Sequence, residues 1–169
     1  MTNSKEKTKR KLPIRSLSAV VGTIAAALLY REVPRHEGVE YMAYRDIAGV
    51  WTICAGDTNN VRPGQVETKE GCERRLTEQL IAHAEPVLAC VPTLREPGRD
   101  YQRAAAVSLA YNIGTAAYCR STSAARFRAR DFKGGCNAMT LFNRAGGKIV
   151  TGLVRRREAE RAICLTELE

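Results

Sequence analysis

The chain is predicted to be an α+β protein, on the strength of two patterns in its sequence. Over residues 41–54, Tyr41, Ala43 and Arg45 alternate with Met42, Tyr44 and Asp46. Ile47-Ala48-Gly49 then reads as a turn, and Val50-Trp51-Thr52-Ile53-Cys54 as a returning strand. From Thr68 onward the apolar residues recur at helical spacing instead. One β-rich segment followed by a series of helices is the α+β layout. The 169 residues suffice for one domain of ordinary size and a short appendage.

The appendage comes first. Residues 1–15 carry Lys5, Lys7, Lys9, Arg10, Lys11 and Arg15 against Glu6, a net +5 of the chain's +9. Ser16 to Tyr30 is uncharged and weakly apolar, rich in alanine and hydroxyl residues. As a helix its 15 residues span about 22 Å, short of a hydrocarbon core about 30 Å thick. Three readings fit this run: a signal peptide cut at Ala25-x-Ala27, an uncleaved and marginal signal anchor, or a soluble core helix. A basic flank before an apolar run is an export arrangement, with the basic side left in the cytoplasm. Residues 1–30 are therefore set apart as an N-terminal segment, and 31–169 as the globular domain.

Within that domain, His36-Glu37-Gly38 reads as a helix end, with Pro34 limiting the helix to about one turn upstream. Gly56 to Gly64 is a loop. Thr68 can cap a helix that places Leu76, Leu80, Ala84, Val87 and Leu88 on one face, bent near its end by Pro86. Asp100 can cap a helix to Ile113 that Gly114 ends, and Ser121 and Asp131 can open two more. Gly146-Gly147 is a turn before a last basic helix near Leu153 to Leu165.

Composition removes several function classes. The charge outside the flank is only +4 and scattered, which does not make a nucleic-acid surface. His36 and His83 are the only histidines and no cysteines are paired as C-x-x-C, so neither a metal nor another cofactor is expected. Cys54, Cys72, Cys90, Cys119, Cys136 and Cys164 fit three disulfides and an oxidising compartment such as a bacterial periplasm. Among 15 connectivities, sequential pairing is the one chosen: Cys54 with Cys72, Cys90 with Cys119, Cys136 with Cys164.

The stretch from Glu37 to Thr52 holds the candidate chemistry. Glycosidic hydrolysis needs one protonated carboxyl for the leaving oxygen and one ionised carboxyl for water or for direct attack. A helix end presenting Glu37 and a hairpin presenting Asp46 can supply them. Thr52 has a hydroxyl that both donates and accepts, and so can orient a water. Spacing alone leaves Glu32, Glu40 and Asp57 open as alternatives.

This stretch resembles the active-site signature of the phage lysozymes of glycoside hydrolase family 24. That signature is Glu, eight residues, Asp, five residues, Thr, and both gaps match. The blocks AAAVSLAYNIGTAAYCRSTSAARF (104–127) and LFNRAGGKIVTGLVRRREAERAICL (141–165) resemble the family too. Cys54 and Asp57 depart from it, standing where relatives often have glycine and histidine. The resemblance implies a two-lobed lysozyme-like fold, with a β lobe and a helical lobe joined by a long helix. It also implies a monomer acting on peptidoglycan glycan strands, with Glu37 as acid and Asp46 as base. Tyr111, Asn112 and Ser121 match cleft-lining positions. The N-terminal run resembles the signal-anchor-release segments of some endolysins, which implies passage through the host translocon. It further implies residence in the inner membrane with the N-terminus cytoplasmic, then release to the periplasm. A lytic transglycosylase or an inactive wall-binding module is the competing reading. Thr52 as a water-positioning group favours inversion.

Overall fold

Ser16 opens the folded chain by accepting a hydrogen bond from the Ala19 amide, which starts α1 (Leu17–Val21). In this computed structural model the described residues are 16–46 and 48–168, so the basic flank and Ile47 of the expected turn lie outside them. Gly22 separates α1 from α2 (Thr23–Glu37). Its φ of +87° and a position where a Cβ would meet Asp100 Oδ1 at 2.7 Å both require glycine.

The uncharged run is helical and packed. Leu17, Val21, Ala25, Leu29 and Val33 repeat every four residues and are all buried. Helix α2 crosses residue 30 without a break. The expectation that Pro34 confines this helix to one turn is corrected: α2 has 15 residues with Pro34 inside it. Proline removes only its own amide bond to the preceding turn, at roughly 3 kcal/mol. Burial of Ala25, Ala26, Leu29 and Val33 on α2 offsets that. Gly38, at φ +76°, stops the helix as expected. Among the described residues no helix is long and apolar enough to cross a membrane.

The hairpin follows at once. β1 (Glu40–Arg45) pairs antiparallel with β2 (Trp51–Cys54), Tyr44 opposite Thr52 and Arg45 opposite Trp51, with an irregularity between Glu40 and Tyr44. The alternation in β1 does not make a buried face, since only Ala43 is buried there. Ala43, Ile53, Cys54 and Cys72 form a small core for this lobe, with Trp51 and Val61 against it.

Helix α3 (Lys69–Cys90) leaves the hairpin lobe, capped by Thr68 through the Gly71 amide. Its 22 residues run about 33 Å and end in the helical lobe. Leu76, Leu80, Ala84, Val87 and Leu88 are buried, as their spacing predicts. Helix α4 (Asp100–Ile113) is the centre of that lobe, with Gln102 through Ala110 all buried. Asp100 is its first residue and not its cap; its carboxylate instead meets Arg103 at 3.2 Å. Arg103 in turn donates to the carbonyl of Val21, tying the end of α1 to α4.

The short helices α5 (Thr115–Cys119), α6 (Thr122–Arg128) and α7 (Phe132–Ala138) close one side. Ser121 and Asp131 cap the last two through the amides of Ala124 and Gly134. Gly146-Gly147 turns a two-residue hairpin, β3 (Arg144–Ala145) with β4 (Lys148–Ile149), and α8 (Thr151–Leu165) packs back on α4. Disulfides join Cys54 to Cys72, Cys90 to Cys119 and Cys136 to Cys164, with Cα separations of 5.2, 5.9 and 5.5 Å. The first pins the hairpin to α3 and the third pins α7 to α8.

Candidate active site

Glu37 is the last residue of α2, three positions before the hairpin begins. Its side chain is 22% exposed and its two oxygens have different neighbours. Oε1 accepts a 2.6 Å hydrogen bond from Arg156 Nη1 of α8. Oε2 lies over Gly56, where even a Cβ would come to 3.5 Å, so the loop after β2 backs the carboxyl. That loop is held by Tyr111 of α4, whose hydroxyl donates to the Ala55 carbonyl at 2.7 Å. The Tyr111 ring packs on His83 with centroids 5.0 Å apart. Burial and then the charge of Glu37 push the Tyr111 phenol well above its ordinary value, so it stays a donor.

Asp46 stands at the end of β1, half-buried. Its Oδ1 accepts the amides of Ala48 at 2.9 Å and Val50 at 2.8 Å, while its own amide donates to the Val50 carbonyl. Both of these side-chain bonds fall on Oδ1. Thr52 is buried on β2, and its hydroxyl donates to the same Val50 carbonyl at 3.1 Å. Asp46 and Thr52 are thus fixed to each other through one residue of the turn. Tyr44 stands opposite Thr52 across the hairpin. Burial first, then the charges of Glu40, Asp46 and Glu37, raise its phenol. One hydroxyl thereby feels the helix-end acid and the hairpin acid together.

Two of the three alternatives left open by spacing are occupied. Glu32 is buried and accepts from Arg31 and Arg35. Asp57 is 5% exposed, paired with Arg75 at 2.6 Å and accepting Gln79 Nε2 at 3.0 Å. It anchors the hairpin lobe on α3. Glu40 lies on the exposed part of β1. A cavity of about 640 Å³ lies between α2, β1 and α3 and is lined by Tyr30, Pro34, Tyr41 and Thr77, among others. None of Glu37, Asp46 or Thr52 lines it, and the arrangement of carboxyls is the better guide to the chemistry.

Two residues escape a sequence reading. Tyr44 looks like an ordinary strand position. Arg156 belongs to an arginine triplet on α8, and its only local signal is the acid at Glu160. The structure shows Arg156 6% exposed, with Nε 3.2 Å from Glu160 Oε1. The neighbouring Arg157 is fully buried and reaches the Asn112 side-chain oxygen at 3.1 Å. Burial, offset in part by Glu160, pulls Arg157 down to about 10. Asn112 is thus linked to Glu37 through α8. Ser121 is buried, its hydroxyl spent on the cap of α6, and no contact among the described residues ties it to the carboxyls. His36 is half-buried, not solvated, and its Nε2 is buried without a partner.

The model of the phage lysozyme family matches residues 34–160. A SAR-endolysin of Enterobacteria phage P21 is 38% identical over 130 residues, covering 76% of this chain and 77% of that one. Among solved structures, the muramidase domain of SpmX from Asticaccaulis excentricus aligns with a TM-score of 0.75 at 27% identity, over 85% of this chain and 98% of that one. The active form of the P1 phage endolysin Lyz also gives 0.75, at 23% identity over 90% and 93% of the two chains, which shows likeness of fold.

Proposed function

The chain belongs to the phage lysozyme family, and we propose that it is a muramidase hydrolysing the β-1,4 bond between N-acetylmuramic acid and N-acetylglucosamine, to lyse the host cell. The observation that carries this reading is the placement of Glu37. It ends a helix, is held on one oxygen by Arg156, and is followed directly by the hairpin that carries Asp46 and Thr52.

In the reaction, Glu37 gives its proton to the glycosidic oxygen as the bond to the muramic anomeric carbon breaks. Asp46 takes a proton from a water whose oxygen bonds to that carbon, and Thr52 orients the water. A water activated on the opposite face gives inversion. Tyr111 and Asn112, tied to the Glu37 side of the site, and Ser121 are the proposed cleft residues for the glycan.

The N-terminal segment belongs to the same reading. The +5 flank and the short apolar run support export through the translocon and temporary residence in the inner membrane. The packing supports release to the periplasm without cleavage. Leu17 to Leu29 fill the helical core, and their helix ends at Glu37. A segment held in lipid cannot fill that core, so the tethered enzyme lacks the support of its proton donor.

The test is the Glu37→Gln variant on purified peptidoglycan. It should fold normally and show no turbidity loss, because an amide cannot donate the proton. Near-normal clearing would remove the assignment.

A further inference from the structure

We propose that Glu160 is a positioning residue for this reaction: from inside the helical lobe it fixes Arg156 and balances its charge where Arg156 meets Glu37. The proposal rests on the reading of Glu37 as the proton donor.

Glu160 lies one turn beyond Arg156 on α8 and is 1% exposed, so it cannot touch substrate. Its Oε1 accepts from Arg156 Nε at 3.2 Å, Arg157 Nη2 at 3.2 Å and Ser108 Oγ of α4 at 2.8 Å. Arg157 Nε stands 3.0 Å from its Oε2. Arg156 uses a different nitrogen, Nη1, for Glu37. One guanidinium therefore bridges two carboxyls, one placed for chemistry and one closed off from solvent. Ser108 supplies a hold from a separate helix, which locks the Glu160 rotamer independently of the arginines.

The arrangement solves a specific difficulty. A proton donor beside an arginine is biased toward its ionised form, which cannot donate. A second carboxylate on the far side of that arginine offsets part of the bias while keeping the geometric hold. The other groups that feel Glu37 are His36 on α2, Tyr44 on β1, Tyr111 on α4 and Arg157 on α8. Arg156 is the one that hydrogen-bonds it, and Glu160 acts on it through Arg156.

The experiment is the pH profile of kcat/KM on purified peptidoglycan for wild type, Glu160→Gln, Arg156→Gln and the double variant. Glu160→Gln keeps the shape and the Ser108 contact but removes the charge. Its alkaline limb should move to lower pH by about one unit, because Arg156, no longer shared with Glu160, turns its charge wholly to Glu37. At neutral pH kcat should fall about tenfold with KM changed by less than about twofold. In the Arg156→Gln background Glu160→Gln should move the limb no further. A folded Glu160→Gln protein with an unmoved limb, or with losses additive to those of Arg156→Gln, overturns the proposal. If Glu160→Gln does not fold, Ser108→Ala decides: it withdraws one donor from the carboxylate and should shift the limb the same way by less, and an unmoved limb again overturns the idea. Activity of Glu37→Gln is the separate control. If that variant is inactive while the limb stays fixed, only the role of Glu160 falls.

Discussion

Arg156 on α8 donates a 2.6 Å hydrogen bond to Glu37 at the end of α2, joining residues 119 positions apart in the chain. The two ends of the catalytic domain thus meet at one carboxyl. Arg156 is also a partner of buried Glu160, so its removal has a structural consequence as well as a chemical one. Arg156→Met should destabilise the protein by about 1.5–3 kcal/mol, the usual result of losing a hydrogen bond to a charged group, since Glu160 keeps Arg157 and Ser108. It should also reduce kcat by about a hundredfold through misplacement of Glu37. Thermal denaturation and turbidity assays on the same preparation measure the two losses.

The N-terminal packing changes how the membrane-release idea should be tested. Ala25 and Ala26 are buried in the core, and Gly22 tolerates no side chain, so leucines there would damage the folded enzyme. Thr23 and Ala27 are exposed. Thr23→Leu with Ala27→Leu should hold the segment in the bilayer longer and delay lysis, while the purified protein keeps normal activity on peptidoglycan. N-terminal sequencing of the periplasmic protein should still find residues before Leu28. A mature chain starting at Leu28 would mean cleavage, and would remove Leu17, Val21 and Ala25 from the core.

A core mutation makes the same point in stability terms. Leu29 is 1% exposed within the main cluster. Leu29→Ala should cost about 2–5 kcal/mol, as truncation of a buried leucine does. A loss below about 1 kcal/mol by chemical denaturation would show that the segment is not packed in the soluble enzyme.

The local parts of the fold were legible because side chains talk to nearby backbone. Gly38 as a stop, and Thr68, Ser121 and Asp131 as caps, follow from bonds spanning four residues or fewer. The hairpin was legible from its turn and alternation, although alternation misjudged which side chains are buried. Pro34 was misread because a local penalty was weighed without the burial of Ala25, Leu29 and Val33 that overrides it. Asp100 was misplaced by one residue because Arg103 competes for its carboxylate. The candidate acids Glu37 and Asp46 came from the resemblance of the 37–52 stretch to a known signature, since spacing alone left Glu32, Glu40 and Asp57 open. Arg156, Glu160 and Tyr44 were not, because their roles depend on α8 and β1 arriving beside Glu37, and no spacing in the sequence encodes that.

His36 supplies a pH dependence whose sign can be worked out. Burial first, and then Arg156, lower its folded value below the ordinary 6.5. The unfolded chain therefore binds more protons just below pH 6.5, and stability is lost as pH falls from about 6.5 toward the folded value. His36→Gln should abolish that part of the loss. Melting temperatures of the two proteins should differ in their pH slope below 6.5 and run parallel above it.

The central claim is hydrolysis by Glu37 and Asp46, and the products report on it most directly. Mass spectrometry of the fragments released from purified peptidoglycan should show muramic acid ends that carry the added water and are reducible by borohydride. Fragments ending only in 1,6-anhydro-muramic acid would mean that no water enters, that Asp46 activates none, and that the enzyme is a transglycosylase.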